Sequence, residues 1–347
     1  MQSPLPRIVE AIRGASPPGL SYGRVDGCRA CDSWTMVARL QQCIVLAWVL
    51  AATAWVAIWW TSAPVIAMAG VVLMTFAHAA VLAVEFIAAR QVSASDPIPR
   101  ASALQCARAW LAESLIAPRV FCWEQPFRSR AVPDHLPQTN GRRGVVLIHG
   151  FLCNRGFWNP WLRALRERNN AFIAVNLEPV FGSIDHHVTT IDAAVQRVTS
   201  ATGKPPILIC HSMGGLAARA WLRAADGSAR VHRIVTIGTP HRGTWLARFG
   251  RTANGREMRI GGEWMRRIEG KDAQSVRFTC WYSNCDNIVF PISTATITGA
   301  DNRLAHARGH VEMAFVEGLR RDTFDLLDEW STGCATKAMP TAARRFE

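Results

Sequence analysis

Ser212 stands at the point where a strand-like segment gives way to a helical pattern. Residues 207–210 (ILIC) are typical of a buried strand, and residues 211–215 (HSMGG) follow at once. A serine on such a sharp turn is strained and exposed, so its hydroxyl can attack a carbonyl carbon. Cys210 occupies the position where this turn usually carries a glycine. Because serine and glycine are also common in ordinary turns and helix caps, the assignment of a nucleophile depends on partners elsewhere in the chain.

An acidic and a basic side chain that could activate Ser212 lie further along the chain. Acyl transfer at neutral pH needs a nucleophile, a base, a group that orients the base, and donors for the oxyanion. His310, just before the last helical segment, is the candidate base, and Asp286, after a strand-like segment, is the candidate acid. A surface or cap role for His310 and an Asx turn at Asp286 are the alternative interpretations. The rival residues are His306 for the base and Asp301 and Asp272 for the acid.

Residues 145–148 (VVLI) form another strand-like segment, which ends in His149 and Gly150. The loop that follows would present the backbone N–H of Phe151 beside that of Met213, the residue after the serine. Two such donors stabilise the charge of a tetrahedral intermediate, and removing one typically costs about 10²–10³ in turnover. We therefore predict an oxyanion hole at Phe151 and Met213 and a structural role for His149.

Three motifs in this order resemble those of bacterial α/β-hydrolase lipases and esterases. They are residues 149–151 (HGF), 211–215 (HSMGG) and 238–244 (GTPHRGT), of which the last is especially typical of the triacylglycerol-lipase group. The resemblance covers residues 140–335, and the order Ser, Asp, His is the chain order of α/β-hydrolases. Carried over by position, the resemblance implies a triad of Ser212, Asp286 and His310. It also implies an oxyanion hole formed by Phe151 and Met213. The chain departs from this family at Cys210, which is small enough for the turn to form with added strain.

The C-terminal part of the chain alternates between strand-like and helical segments. The strand-like segments are 144–148, 171–176, 207–210, 231–237 and 276–282, with 295–298 as the candidate for the last one. The helical segments are 158–168, 184–201, 215–225 and 311–330. This alternation predicts an α/β fold with a mostly parallel sheet and helices on both faces. Residues 241–273 interrupt the alternation with arginines among apolar residues, and we interpret them as a mobile cap or lid.

Two apolar segments, residues 42–60 and 65–84, precede this fold. The stretch 40–84 contains no Asp, Glu, Lys or Arg, and each segment is long enough to cross a hydrocarbon layer of about 30 Å. We predict a two-helix transmembrane hairpin with a short turn at residues 61–64 (TSAP). Arginines flank the hairpin on both sides and are missing from the turn, so the positive-inside rule predicts a multi-pass protein of the bacterial inner membrane with a cytoplasmic catalytic domain.

Composition divides the chain into five predicted parts. Residues 1–35 are rich in Pro, Gly, Ser and Arg and are predicted to be disordered, with Met36 as an alternative start of the protein. The remaining parts are the hairpin (36–90), a linker and amphipathic helix (91–130), the catalytic domain (131–335) and a disordered tail (336–347). Within the third part we predict a helix at 102–117 and an edge strand at 119–125.

The net charge of +13 comes almost entirely from arginine. A basic surface suits contact with anionic lipid, although genome composition is the plainer explanation. Neither a clustered basic stripe nor a recognisable nucleic-acid-binding module is present, so we predict no nucleic-acid partner.

The cysteines and the remaining histidines give no pattern of a metal site. The ten cysteines are scattered, and Cys28 and Cys31 lack the second pair of ligands that a zinc site needs. His186 and His187 have no carboxylate at ligand spacing and are predicted to be solvated, whereas His241 is predicted to brace a loop near the site. We expect no metal, no organic cofactor and a reducing compartment.

Together these features predict a membrane-anchored serine hydrolase that cleaves acyl or lipid esters through an acyl-enzyme. An acyltransferase of the same fold and a non-catalytic hydrolase fold acting as a membrane scaffold are the alternatives. The acyl chain length, the head group and the oligomeric state are left open by the sequence.

Overall fold

A computed structural model of the chain describes residues 35–138, 142–269 and 276–329, and every structural statement below refers to these residues. The predicted disordered tail at 336–347, the predicted extension up to residue 34 and the rival acid Asp272 lie outside them.

The centre of the fold is a six-stranded sheet in which all neighbouring strands are parallel. The strands are β1 (Val145–Ile148), β2 (Phe172–Ala174), β3 (Ile207–His211), β4 (Arg233–Ile237), β5 (Arg277–Tyr282) and β6 (Asp301–Leu304). Their spatial order is β2-β1-β3-β4-β5-β6. Parallel sheets need cover on both faces, and β1 to β4 are accordingly buried along their whole length.

Eleven α-helices lie in the described residues. They are α1 (Met36–Trp59), α2 (Pro64–Val92), α3 (Ala103–Arg119), α4 (Gln125–Arg128), α5 (Asn159–Glu167), α6 (Val188–Thr202), α7 (Met213–Ala224), α8 (Ala253–Glu257), α9 (Glu263–Ile268), α10 (His310–Met313) and α11 (Glu317–Glu329).

Successive strand residues point to opposite faces of the sheet and into two separate cores. In β1, Val145 and Leu147 pack with the tryptophans that begin and line α5, while Val146 and Ile148 pack with α6 and α7. This alternation follows from the period of two in a strand. The predicted α/β fold with helices on both faces of a parallel sheet is confirmed.

Two long apolar helices precede the sheet. By length and composition, α1 and the helical stretch Pro64–Ser95 are able to cross a membrane. The two helices contact each other: the Trp55 indole N–H donates to the Ile66 carbonyl at 3.2 Å, and a Cβ at Gly70 would lie 2.0 Å from that ring. Many of their outer side chains are exposed, such as Val65 at 79% and Leu73 at 71%. The fold therefore contains a close helical pair that presents apolar side chains outward.

The edge strand predicted at residues 119–125 is wrong. The predicted helix before it is present as α3, but it continues through a π-helical turn, Val120–Glu124, into α4. Val120 and Glu124 are both buried while the residues between them are more exposed, which is helical rather than alternating periodicity. Pro126 lies just after the π-helical turn, where the hydrogen bonding already departs from the regular α-helical pattern, so its missing N–H is accommodated there.

The last strand was predicted at residues 295–298 and is instead β6, which pairs with the second half of β5. Residues 292–295 form a 3₁₀ turn. β6 is an edge strand with no fully buried residue, so it lacks the apolar run that marks the inner strands. The predicted closing helix at 311–330 is also divided, into α10 and α11.

The predicted cap at 241–273 contains a 3₁₀ turn at Trp245–Phe249 and the short helices α8 and α9. Trp264, Met265 and Ile268 of α9 are buried in the core that covers the α6 and α7 face of the sheet. These apolar residues therefore serve packing, and the mobility of the segment stays a prediction.

Candidate active site

Ser212 lies at the carboxyl end of the central strand β3, on a turn that leads directly into α7. Its backbone has φ 53° and ψ −128°, a region that non-glycine residues rarely adopt and that signals stored strain. Neighbouring main chain holds it in place, because the Ser212 N–H donates to the Ile237 carbonyl at 2.9 Å. The Thr239 hydroxyl donates to the Ser212 carbonyl at 2.9 Å. The neighbouring strand β4 and the loop after it thus fix the serine.

Glycines around Ser212 are required by close approach of the backbone. A Cβ at Gly214 would lie 2.5 Å from the Ile148 carbonyl oxygen, and one at Gly150 would lie 2.9 Å from Ser212 Cβ. Cys210 meets no such restriction because it is a regular residue of β3, paired with Ile148 and buried in the α6 and α7 core. Burial raises the pKa of its thiol. The glycine that usually precedes this turn is therefore replaceable in this fold.

Asp286 and His310 form a buried pair beyond the carboxyl end of β5. His310 Nδ1 lies 3.0 Å from each carboxylate oxygen of Asp286, and the two residues are only 4% and 1% exposed. Asp286 Oδ1 also accepts the N–H groups of Ile288 and Val289, at 2.9 and 2.8 Å. The Asx-type turn and the contact with the imidazole therefore coexist on one carboxylate.

The surroundings of His310 favour its charged form. Burial alone would lower the pKa of the imidazole, but the charge and hydrogen bond of Asp286, with the charges of Glu113 and Glu85, outweigh burial and raise it. A base with this environment accepts a proton readily, and Asp286 stabilises the imidazolium that results.

His310 lies beside the serine turn and contacts the residue that precedes Ser212. The His211 ring, one residue before the serine, packs against the His310 ring with 4.7 Å between centroids, and its Nε2 lies 3.1 Å from the His310 carbonyl. A Cβ at Gly238, directly after β4, would lie 3.1 Å from His310 Cε1. In the described residues no hydrogen bond joins the Ser212 hydroxyl to His310. Such bonds often tighten only when substrate is bound.

Two backbone donors lie beside the serine, one in the loop after β1 and one at the start of α7. In the part of the chain that the structure describes, the Phe151 N–H makes no backbone hydrogen bond, and the Met213 N–H at the start of α7 has no intrahelical acceptor. His149 is committed elsewhere, since its Nδ1 contacts the Gly150 carbonyl at 2.9 Å and its Nε2 accepts the Leu177 N–H at 3.1 Å. Burial lowers the pKa of His149 to about 4, which suits a neutral structural residue.

The rival acid Asp301 lies far from this arrangement in the fold. It begins β6 opposite Thr279, whose hydroxyl it accepts at 3.2 Å, and it also accepts from Arg303. The rival base His306 lies in the loop between β6 and α10 and is half-buried. Asp286 is thus the described acid that contacts His310.

Of the other histidines considered in the sequence, His241 and His187 are buried and His186 is exposed. His241 Nε2 lies 3.0 Å from the Thr236 hydroxyl, and the His241 carbonyl accepts from Arg219 at 2.8 Å. His186 is exposed as predicted, but the prediction of a solvated His187 is wrong, because it is fully buried against the α6 and α7 core and burial lowers its pKa to about 4. Among the described residues, no three His, Cys, Asp or Glu side chains come together as a metal site would require.

Two glutamates lie near His310, and the sequence alone does not indicate their contacts. Glu113 of α3, only 1% exposed, accepts the N–H groups of Val311 and Glu312 at 2.8 and 2.9 Å. Glu85 of α2 accepts from the Asn287 side chain at 2.8 Å. Their only sequence signal is an acidic residue on an otherwise apolar helix face, and a local pattern cannot name a partner about 200 positions away.

Comparison with known proteins agrees with this fold. A family profile described as "Alpha/beta hydrolase family" matches residues 145–329, more than half of the chain. No curated protein matches the chain.

Similar solved structures include several lipases. The mature form of lipase BlEst2 from Bacillus licheniformis is 16% identical, with a TM-score of 0.49 over 56% of this chain and 95% of that one. Lipase B from Aspergillus fumigatus is 17% identical, with a TM-score of 0.48 over 58% and 57%. A monoacylglycerol lipase from Paleococcus ferrophilus is 14% identical, with a TM-score of 0.43 over 56% and 96%. The family match and the parallel sheet with its strained serine turn show that the chain belongs to the alpha/beta hydrolase family.

Proposed function

We propose that the chain is a serine hydrolase that cleaves carboxylic esters carrying an acyl chain, at a membrane surface. One observation carries this proposal: a serine at φ 53° on a strand-to-helix turn stands beside a buried aspartate–histidine pair. A purely structural serine gains nothing from such strain, whereas a nucleophile gains a fixed direction of attack.

The proposed reaction has two halves. Ser212 Oγ attacks the ester carbonyl carbon while His310 Nε2 accepts the hydroxyl proton and Asp286 holds Nδ1. The N–H groups of Phe151 and Met213 hold the oxyanion of the tetrahedral intermediate. The C–O bond to the alcohol then breaks, and His310 returns the proton to the leaving oxygen. In the second half, His310 accepts a proton from a water molecule while the water oxygen attacks the acyl carbonyl carbon. The bond between that carbon and Ser212 Oγ then breaks, His310 returns the proton to Oγ, and the carboxylic acid leaves.

The position of the apolar helices supports a lipid-like substrate. The first turns of α1 lie against the loops after β1 and β2. The Gln41 side-chain amide donates to the Leu152 carbonyl at 3.3 Å, and the Met36 N–H donates to the Glu178 carboxylate at 2.6 Å. Leu152 and the nearby Phe181 are 39% and 38% exposed. An ester that enters along this side passes apolar side chains before it reaches Ser212.

We further propose that α1 and α2 anchor the protein in the bacterial inner membrane, with the catalytic domain in the cytoplasm. Their length, their exposed apolar side chains and the arginines on both flanks support this topology. The exposed leucines of α3, at positions 104, 111 and 115, extend the apolar surface beside the hairpin.

A fluorophosphonate probe tests the proposed chemistry, because it reacts only with an activated serine. We expect the full chain to be labelled and Ser212→Ala to lose the label completely. Ser228→Ala, on the turn between α7 and β4, is the matched control and should be labelled like the parent chain. Labelling that persists in Ser212→Ala would contradict the proposal.

A further inference from the structure

We infer that two glutamates of the N-terminal helices, Glu113 of α3 and Glu85 of α2, are positioning residues for His310. This inference rests on the proposed role of His310 as the general base. Both glutamates lie outside residues 145–329, the part of the chain that matches the hydrolase family.

Glu113 holds the backbone immediately after His310. Its two carboxylate oxygens accept separately, Oε1 from the Val311 N–H at 2.8 Å and Oε2 from the Glu312 N–H at 2.9 Å. Gly309, the residue before His310, also lies close to this carboxylate, since a Cβ at Gly309 would lie 2.4 Å from Glu113 Oε2. A carboxylate bound at both oxygens fixes the first turn of α10, and that turn carries His310.

Glu85 acts on the same turn through Asn287. The Asn287 side-chain N–H donates to Glu85 Oε2 at 2.8 Å, and its Oδ1 accepts the His310 N–H at 3.1 Å. Asn287 is completely buried and directly follows Asp286. One amide therefore connects α2, the acid loop and the backbone of the base.

Together these contacts provide hydrogen-bond acceptors for three consecutive backbone N–H groups. The N–H groups of residues 310, 311 and 312 all donate to side chains that belong to, or are tied to, the N-terminal helices. His211 contacts the His310 carbonyl from the opposite side, and Asp286 contacts the ring. A small shift of α2 or α3 would move the imidazole relative to Ser212, and displacements of about 1 Å can cost about 10²-fold in rate.

The glutamates also act through charge. The titratable and charged groups around His310 are Asp286, Glu85, Glu113 and His211, with Glu312 of α10 paired to Arg108 and Arg308. The charges of Glu113 and Glu85 each raise the pKa of His310. Burial in turn raises the pKa of Glu113 to about 7, despite its two backbone hydrogen bonds. Loss of the Glu113 charge therefore lowers the pKa of the base and weakens the imidazolium that forms during attack.

Glu113→Gln in the full chain, in phospholipid vesicles, is the central test. Glutamine offers one acceptor oxygen where two N–H groups donate, and it carries no charge. We expect the rate of fluorophosphonate labelling, corrected for the folded fraction, to fall at least about tenfold. We also expect the acid limb of kcat/KM with a short-chain nitrophenyl ester to move to lower pH.

The matched control is Glu124→Gln, which removes another buried carboxylate of the same helical segment. Glu124 accepts from Asn159 at 2.7 Å and lies outside the groups that face His310. It should lower thermal stability while the labelling rate per folded molecule and the acid limb stay unchanged. Equal labelling rates and equal acid limbs in the two variants would overturn the inference.

If Glu113→Gln does not fold, Asn287→Ala decides the question, because it disconnects α2 from His310 and leaves Glu113 in place. A labelling rate at least about tenfold lower supports the inference, and the parent rate overturns it. Ser212→Ala keeps the two proposals separate. Label retained in Ser212→Ala removes the proposed function, whereas label lost there but unchanged by the Glu113 and Asn287 variants removes only the positioning role.

Discussion

The turn that carries Ser212 and the turn that carries His310 are built in opposite ways. Ser212 is held by the sheet itself, through main chain of β4 and the close approach of β1. His310 is held by Glu113 and by the Asn287–Glu85 pair, which reach it from helices outside the hydrolase domain. The position of the proposed nucleophile is therefore set by the sheet. The position of the proposed base also depends on the segment that we propose anchors the protein.

The largest expected effect comes from the aspartate–histidine pair, on which the proposed reaction depends. His310→Ala and Asp286→Asn should lower kcat/KM by about 10³–10⁴, because the serine loses its base or the base loses its orientation. Asp301→Asn, at the edge of the sheet, is the control and should leave kcat/KM within about twofold. A parent-like rate for His310→Ala would contradict the assignment of His310 as the base and would favour its rival His306.

The turn built by the sheet can be broken locally at Gly214. Gly214→Ala places a Cβ 2.5 Å from the Ile148 carbonyl, so α7 must move away from β1 and carry the oxyanion donor Met213 with it. We expect kcat to fall by about 10²-fold, the typical cost of losing one oxyanion donor. Gly203→Ala strains a left-handed position at the end of α6 with open space around it, so it should lower the Tm and leave kcat per folded molecule unchanged. Parent-like kcat in Gly214→Ala would show that the turn adapts.

The charge around the base predicts a pH dependence that the serine turn lacks. The pKa of His310 is raised by Asp286, Glu113 and Glu85 acting against burial, and His211 lies against its ring. Because the base must be neutral, kcat/KM should fall on the acid side with a midpoint above the ordinary histidine value of 6.5.

The contribution of His310 to stability runs in the opposite direction. A raised pKa in the folded state stabilises the protein fully below the unfolded value, and this contribution is lost as the pH rises through the folded value. Measurements of kcat/KM and Tm across about pH 5–9 test both signs. An acid limb at or below 6.5 would contradict the described electrostatics.

Cys210→Gly should have the smallest effect. The thiol is buried in the core on the α6 and α7 face, and the residue pairs regularly within β3, so its removal leaves the serine turn intact. We expect kcat/KM within about twofold and a loss of about 1–2 kcal/mol in the free energy of unfolding, from lost burial and a glycine inside a strand. Complete loss of activity would show that Cys210 helps to form the turn.

The same contrast explains how much the sequence could predict. The inner strands and the serine turn have local signatures, namely apolar runs and glycines at fixed offsets, and the predicted parallel sheet is confirmed. β6 was misplaced because an edge strand has little apolar signal, and residues 119–125 were assigned as a strand although Val120 and Glu124 follow helical spacing. The prediction of a solvated His187 was wrong because no local pattern indicates that its turn packs against α7. The Glu113 and Glu85 contacts join residues about 200 positions apart, and no local pattern contains them.

We propose that Ser212 is a nucleophile and that Asp286 and the N-terminal helices hold its base, His310. The most direct measurement is fluorophosphonate labelling of the full chain followed by peptide mass spectrometry, with the rate compared among the parent, His310→Ala and Glu113→Gln. We predict one adduct, on Ser212, formed fastest in the parent, at least about tenfold more slowly in Glu113→Gln and slowest in His310→Ala. An adduct on another residue, or equal rates in the three proteins, would contradict it.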